Sequence, residues 1–216
     1  MRYDNVIWDW NGTLLNDVSV AVKCMNELLS EYGLSPLASE DYYRSVFCFP
    51  VKDYYARLGF DFEKTPFEIT GMEFIEKYDK YEQTAPLAEG AIEALSRFRE
   101  AGLRQVVLSA SELSALKKQT SDRALTEYFA DILGIDNRLA AGKAEIARGY
   151  FAVQKLSPAR TVFIGDTEHD FAVASALGCD CVLLSCGHKS REALQKLTDK
   201  VADSVKQAAE IILSER

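Results

Sequence analysis

The sequence predicts an α/β protein, a doubly wound parallel sheet into which a small all-helical unit is inserted. Three observations carry this. Short apolar runs recur with helical segments between them, the alternation expected of strands joined by covering helices. One long stretch, 16–84, breaks the alternation and shows only amphipathic helical patterns. Three of the apolar runs pass directly into a polar residue, as strands do where they reach the rim of a sheet.

The predicted strands, in chain order, are Asn5 to Trp8, Arg104 to Leu108, Asp131 to Ile135, Thr161 to Ile164 and Cys181 to Leu184. Helical spacing covers Gly90 to Glu100, stopped at Gly102, then Lys143 to Gln154, and Asp170 to Leu177, stopped at Gly178. Ser204 to Leu213 reads as a terminal helix with Ser204 as its cap. Within the insert, helices are expected at Val18 to Leu29, Val51 to Leu58 and Phe67 to Tyr81. Its boundaries fall at Leu15-Asn16-Asp17 and Thr84-Ala85-Pro86, which divides the chain into a core of 1–15 and 85–216 and a helical unit of 16–84. The aromatic run from Tyr42 to Phe49, with Tyr54 and Tyr55, is expected to be mainly the core of that unit. Arg44 and Lys52 are its better candidates for meeting an anion. No internal repeat or low-complexity tract is present.

A length of 216 residues suits one domain plus a sizeable insertion, and 48% hydrophobic residues suffice for a packed core. A formal charge of −8 argues against nucleic acid and anionic lipid as partners. No apolar run reaches the length of a membrane span and the N-terminus does not read as a signal peptide, so a soluble cytoplasmic protein is expected. The five cysteines, Cys24, Cys48, Cys179, Cys181 and Cys186, fit that expectation as free thiols. A metal shared by Cys179, Cys181 and Cys186 is disfavoured, because they belong to an alternating apolar run and no second ligand pair exists.

The polar residues that follow three strands are Asp9, Ser109 and Asp166. In an open Rossmann-like sheet the ligand crevice lies at the carboxyl ends of the strands, so these side chains are expected to converge. Asp166-Thr167-Glu168-His169-Asp170 adds further acids beside Asp9, a cluster that would repel itself without a cation. Mg²⁺, a hard ion that takes carboxylate and backbone oxygens and keeps waters, fits best. Asp9-Trp10-Asn11-Gly12-Thr13 pairs a carboxylate with a turn rich in backbone donors, which suits a phosphate. Ser109 can add a hydroxyl there, and Lys143, at a helix start after Gly142, a point charge.

Taken in order, Asp9-Trp10-Asn11-Gly12-Thr13-Leu14-Leu15, Ser109, Lys143 and Gly165-Asp166-Thr167-Glu168-His169-Asp170 resemble the four motifs of the haloacid dehalogenase superfamily. The insert after the first motif resembles the cap of its phosphoglycolate-phosphatase-like branch. The resemblance implies a Mg²⁺-dependent phosphatase of a small phosphorylated metabolite, in which Asp9 attacks phosphorus and the aspartyl phosphate is then hydrolysed. It implies Asp9, the backbone carbonyl of Asn11, Asp166 and Asp170 around the metal, and Trp10, Asn11, Thr13, Ser109, Ala110 and Lys143 around the phosphate. Lys143 would also restrain Asp9, and the cap would close over the site with hinges near Asn16 and Ala85.

One residue departs from the family's pattern. Its phosphatases usually carry an aspartate two positions after the nucleophile as general acid and base, and this chain has Asn11. An amide cannot cycle a proton, so a contribution of about 10²- to 10⁴-fold is expected to be missing. Turnover should then need a good leaving group, or a substitute such as Glu168, His169 or a cap residue. Because Asn-Gly deamidates readily, an aspartate formed at position 11 is an alternative that peptide mapping would detect. Three rival functions follow. A phosphonate hydrolase would use Lys52 for a Schiff base, a non-catalytic protein would bind a phosphorylated ligand or a partner, and a dehalogenase would leave Asp166 and Asp170 without a purpose. His169 is expected as an exposed helix-start residue and His188 as a loop residue.

Overall fold

The computed structural model describes residues 2–135 and 142–215. Strand β1 (Asn5–Trp8) is followed by helices α1 (Val18–Glu31), α2 (Glu40–Val46), α3 (Val51–Arg57), α4 (Phe67–Tyr81) and α5 (Ala91–Glu100). Then come β2 (Arg104–Glu112), α6 (Leu113–Asp122), β3 (Asp131–Ile135), α7 (Lys143–Gln154), β4 (Thr161–Gly165) and α8 (Glu168–Leu177). The chain ends with β5 (Asp180–Leu184), α9 (Arg191–Leu194), β6 (Val201–Ala202) and α10 (Val205–Ser214). The six strands form one sheet in the order β3-β2-β1-β4-β5-β6, and every pairing is parallel. From β1 the connections run outward to β2 and β3 on one side and to β4, β5 and β6 on the other, the doubly wound arrangement expected from the sequence.

The alternation of strand side chains makes both faces of this sheet apolar. Val6, Trp8, Val107, Val162, Ile164 and Val182 pack on one face with α5 and α10. Ile7, Val106, Leu108, Phe163, Cys181 and Leu183 pack on the other with α7 and α8. Cys181 is therefore a buried thiol of the second face, and all five cysteines are free, as the sequence suggests. Both indoles inside these layers are paired: the Trp8 indole donates to Gln105 Oε1 (3.0 Å) and the Trp10 indole to Gln119 Oε1 (2.6 Å).

The helices of 18–81 have their own hydrophobic cluster, built on Met25, Leu28 and Leu29 of α1 with Tyr43, Tyr54, Tyr55 and Phe60. The two chain crossings into and out of this unit lie side by side. Asn16 N–H donates to Pro86 O (2.9 Å), and Leu15 bridges Leu87 in antiparallel fashion. Such adjacent crossings leave the helical unit over the carboxyl ends of the strands.

Several elements differ from the sequence-based expectation. Strand β2 continues past Leu108 to Glu112 through a register shift against β3, so Ser109 lies within the strand at a bulge. Helix α8 begins at Glu168, because Thr167 and Asp170 form a reciprocal capping box that places Asp170 in its first turn. Helices α2, α6 and α9 and the two-residue β6 add to the predicted set. Among the described residues no helix is long and apolar enough to cross a membrane.

Candidate active site

Strands β1 and β4 are neighbours at the point where the winding reverses, and each delivers an aspartate as it ends. Asp9 follows β1, with its N–H held by Ile164 O (2.8 Å), and Asp166 follows β4. Asp170 reaches the same spot from the first turn of α8. Ligand oxygens of Asp9, Asp166 and Asp170 all lie within 4.8 Å of one another. Lys143, the first residue of α7, stands between two of them: its Nζ donates to Asp9 Oδ1 (2.5 Å) and to Asp170 Oδ1 (2.5 Å).

Each carboxylate is fixed differently. Asp170 Oδ2 accepts from the Asp166 and Thr167 N–H groups (3.2 and 3.1 Å) and from the Thr167 hydroxyl (2.8 Å). Asp166 Oδ2 accepts from the His188 N–H (2.5 Å), while its Oδ1 is buried with no partner. Gly12 and Gly187 close on that carboxylate. A Cβ on either would stand 2.2 Å from Asp166 Oδ2, and Gly12 also has a φ of +69°, so both backbone approaches need glycine.

The electrostatics show a site short of positive charge. Burial, then the charge of Asp170, pushes the Asp9 carboxyl up to about 7 despite Lys143. Burial likewise pushes Asp166 up to about 8, with Asp9 and Asp170 adding to the shift and His188 opposing it. Asp170 lies below the usual carboxylate range, since Lys143 and the Thr167 donors outweigh its burial. Lys143 is held above its ordinary value, its burial outweighed by Asp170 and Asp9. An orphaned, buried carboxylate oxygen beside two acids that resist ionisation fits a hard divalent cation, so the residues present suit Mg²⁺.

A cavity of about 340 Å³ opens above these groups. Asp9, Asn11, Ser109, Ala110, Lys143, Asp166 and Asp170 all line it, which brings together most of the residues singled out in the sequence. Trp10 and Thr13 do not line it. The Trp10 carbonyl accepts the N–H groups of Thr13, Leu14 and Leu15, and both side chains are fully buried beneath the turn.

Asn11 is held on every polar atom of its side chain. Its amide donates to Asp17 Oδ2 (2.9 Å) and to Tyr78 Oη (2.7 Å), and its Oδ1 accepts from Ser111 Oγ (3.0 Å). The Tyr78 hydroxyl itself donates to Asp17 Oδ2 (2.6 Å), so one tyrosine of the helical unit ties α4 to the first motif. Two acceptors facing the nitrogen make this a place for an amide rather than for a second carboxylate.

Asp17 and His188 are the functional candidates that sequence reasoning missed. His188 is no free loop residue: it is 7% exposed, with Nε2 3.2 Å from Asp17 Oδ1 and Nδ1 2.7 Å from Tyr43 Oη. Burial alone would lower its pKa, but Asp17 raises it to about 9, and the same pairing outweighs burial at Asp17 and holds that acid down at about 2. Position supplies a signal for both, since Asp17 follows motif one and His188 follows the carboxyl end of β5.

Other expectations are corrected by the geometry. Arg44 turns its Nε to Gly187 O (2.8 Å) and its fork to Glu40 and Asp41, so it latches the helical unit to the core rather than facing the cavity. Lys52 is exposed over the Phe62 ring, outside the cavity lining, which leaves a Schiff-base reaction there without a site. His169 is half-buried in the cavity wall, stacked on Phe49 at 5.1 Å, and Glu168 pairs with Lys189 (3.2 Å). Tyr43, Tyr54 and Tyr55 are core residues as expected, and they also form cavity wall.

Comparison with known proteins agrees with this arrangement. Residues 6–184 match the profile of the haloacid dehalogenase-like hydrolases. The chain is 26% identical over 188 residues to a phosphoglycolate phosphatase of Rhodobacter capsulatus, with 85% of each chain covered. It is 23% identical over 225 aligned positions to phosphoglycolate phosphatase 1 of Pseudomonas aeruginosa, covering 96% of this chain and 82% of that one. A haloacid dehalogenase-like family hydrolase from Streptococcus pneumoniae shares the fold, with a TM-score of 0.82 at 18% identity over 100% of this chain and 99% of that one.

Proposed function

The chain belongs to the haloacid dehalogenase-like hydrolase family, and on that premise we propose that it is a Mg²⁺-dependent phosphatase of a small phosphorylated metabolite, working through an aspartyl phosphate on Asp9. The observation that carries this reading is Lys143 bridging Asp9 and Asp170 on the floor of a cavity where Asp166, beside them, has an unpartnered oxygen. The names of the relatives, both phosphoglycolate phosphatases, support the same class.

Asp9, the backbone carbonyl of Asn11, Asp166 and Asp170 are the groups that would hold Mg²⁺, which when bound stabilises charge on the phosphoryl oxygens. Lys143 favours the ionised form of Asp9 against its burial and fixes one of its oxygens, leaving the other to attack phosphorus in line. The bond from phosphorus to the leaving oxygen breaks, and water then cleaves the aspartyl phosphate to inorganic phosphate and free Asp9. Ser109 and Ala110 line the cavity beside Asp9 and are the phosphate-holding groups from β2, joined by the backbone of the Trp10-to-Thr13 turn. Residues 16–84 act as the cap of a core formed by 1–15 and 85–216, excluding water from the phosphorylated aspartate.

Asn11 shapes the chemistry. Its amide hydrogens are committed to Asp17 and Tyr78, and neither can be delivered to a leaving group. The leaving oxygen therefore departs without a titrating acid at this position, which costs roughly 10²- to 10⁴-fold on poor leaving groups. The test is Mg²⁺-dependent phosphate release from p-nitrophenyl phosphate beside phosphoglycolate, with Asp9→Asn as the blank. Release that vanishes in the blank is expected. Equal release by wild type and blank would remove Asp9 as the nucleophile, and none from either would favour a protein that only binds a phosphorylated ligand.

A further inference from the structure

The cavity has two unlike halves. Its floor is the polar set around Asp9 and Lys143, and its far wall, contributed by the cap, is aromatic. Phe47 meets Tyr54 edge-on at 5.3 Å and Phe49 at 5.5 Å, Tyr43 meets Tyr54 at 5.9 Å, and Phe49 lies flat against His169. Edges and faces of aromatic rings at these separations form a surface that accepts another ring. Phe47 and Phe49 offer nothing to a second negative charge, and the Tyr54 hydroxyl, which has no partner, is fully buried.

A buried carboxylate on the substrate would need a cation or fixed donors of its own. Among the described residues the cationic side chains near the cavity are already engaged. Lys143 sits between Asp9 and Asp170, and His188 between Asp17 and Tyr43. Arg44 turns to Gly187, and Lys189 to the Phe47 carbonyl and Glu168. An independent observation concerns the leaving oxygen. With Asn11 carrying no titrating proton, an oxygen that is stable as an anion is favoured. A phenol, with a pKa of about 10, leaves far more readily than an aliphatic alcohol, whose oxygen is much more basic.

Resting on the phosphatase reading above, we propose that the substrate is a small aryl phosphate, the phosphate ester of a phenolic alcohol, rather than a carboxylate-bearing alkyl phosphate. The ring lies against Phe47, Tyr54 and Phe49, and the phosphate reaches Asp9. Asp9 forms the new bond to phosphorus, the aryl oxygen leaves with the electron pair of the broken bond and takes a proton from solvent, and water releases phosphate from Asp9. The small size follows from the latches that hold the cap down: Tyr43 to His188 (2.7 Å), Tyr78 to Asp17 (2.6 Å) and Arg44 to Gly187 (2.8 Å).

The experiment compares kcat/KM for 1-naphthyl phosphate, phosphoglycolate and a phosphotyrosyl peptide, in wild type and in Phe47→Arg. In parallel, calorimetry measures the affinities of naphthylmethylphosphonate and phosphonoacetate, which cannot be hydrolysed. Naphthyl phosphate is expected to be preferred over phosphoglycolate by about a hundredfold or more, the lower end of a missing acid's effect. Phe47→Arg should shift that ratio toward phosphoglycolate, chiefly through KM. Equal or better use of phosphoglycolate by wild type overturns the proposal, as does a tenfold preference for the peptide. If nothing is hydrolysed the phosphatase reading fails, and the phosphonates decide: tighter binding of the aryl compound upholds the aromatic ligand, and equal or reversed affinity removes it.

Discussion

Replacing Asn11 by aspartate tests the local electrostatics most sharply. The Asn11 amide nitrogen lies 2.9 Å from Asp17 Oδ2, so an aspartate there sets one carboxylate oxygen against another at the same distance. Two unit charges so placed repel by about 6 kcal/mol at an effective dielectric near 20, equal to roughly four pKa units. The new carboxyl would hold its proton through neutral pH, hydrogen-bonded to Asp17. Its folded pKa would lie above an unfolded value of about 3.9, so the variant matches wild type below that pH and loses stability as pH rises toward the folded value. Part of the repulsion is relieved by His188, which faces the other Asp17 oxygen, leaving a deficit of about 4 kcal/mol at pH 7.5 and about 1.5 kcal/mol at pH 5. Urea unfolding of both proteins at the two pH values measures it. The retained proton also restores an acid beside the leaving group, so an alkyl phosphate should gain at least tenfold while p-nitrophenyl phosphate changes little. Equal stability of variant and wild type at both pH values would rule out this repulsion.

Lys143→Met leaves Asp9 and Asp170 facing one another without their shared cation; activity should vanish, and urea unfolding should show a loss of about 3 to 5 kcal/mol. Mg²⁺ at a hundred times its dissociation constant should stabilise the wild type by about 2.7 kcal/mol, read as a rise in Tm that Asp166→Asn abolishes. In metal-free protein, His188 has a folded pKa of about 9, above its unfolded value, so its pairing with Asp17 stabilises fully below pH 6.5 and is lost as pH rises through 9. The unfolding free energy should fall by about 3 kcal/mol across that window, and His188→Gln should flatten the slope.

Much of this was legible because strands buried on both faces leave unbroken apolar runs. Asn5–Trp8 and Asp131–Ile135 have the predicted limits, and helices Lys143–Gln154 and Phe67–Tyr81 likewise. Asp9, Ser109 and Asp166 were readable as a cluster because each lies at or near the carboxyl end of a central strand. Helix α6 was not, since Leu113–Asp122 is mostly polar and its cap is the side chain of Glu112 rather than a usual capping residue. Strand β6 is two residues long and exists only through pairing with β5. The Asp17–His188 pair was hidden for a different reason. Partners 171 positions apart leave no local period, and an aspartate at the start of α1 reads as a helix cap, whereas its carboxylate turns back to the Gly12 N–H (2.8 Å). Arg44 and Lys52 misled because charge in an aromatic run suggests a ligand, and only the fold reveals that both point elsewhere.

In the proposed mechanism Asp9 carries the phosphoryl group. Rapid acid quenching of the wild-type protein during Mg²⁺-dependent turnover of an aryl phosphate, followed by peptide mass mapping, tests it directly. One added phosphoryl group is expected on the peptide containing Asp9, absent without substrate and absent in Asp9→Asn. Turnover that persists in Asp9→Asn, or a phosphoryl group found on another residue, would contradict it.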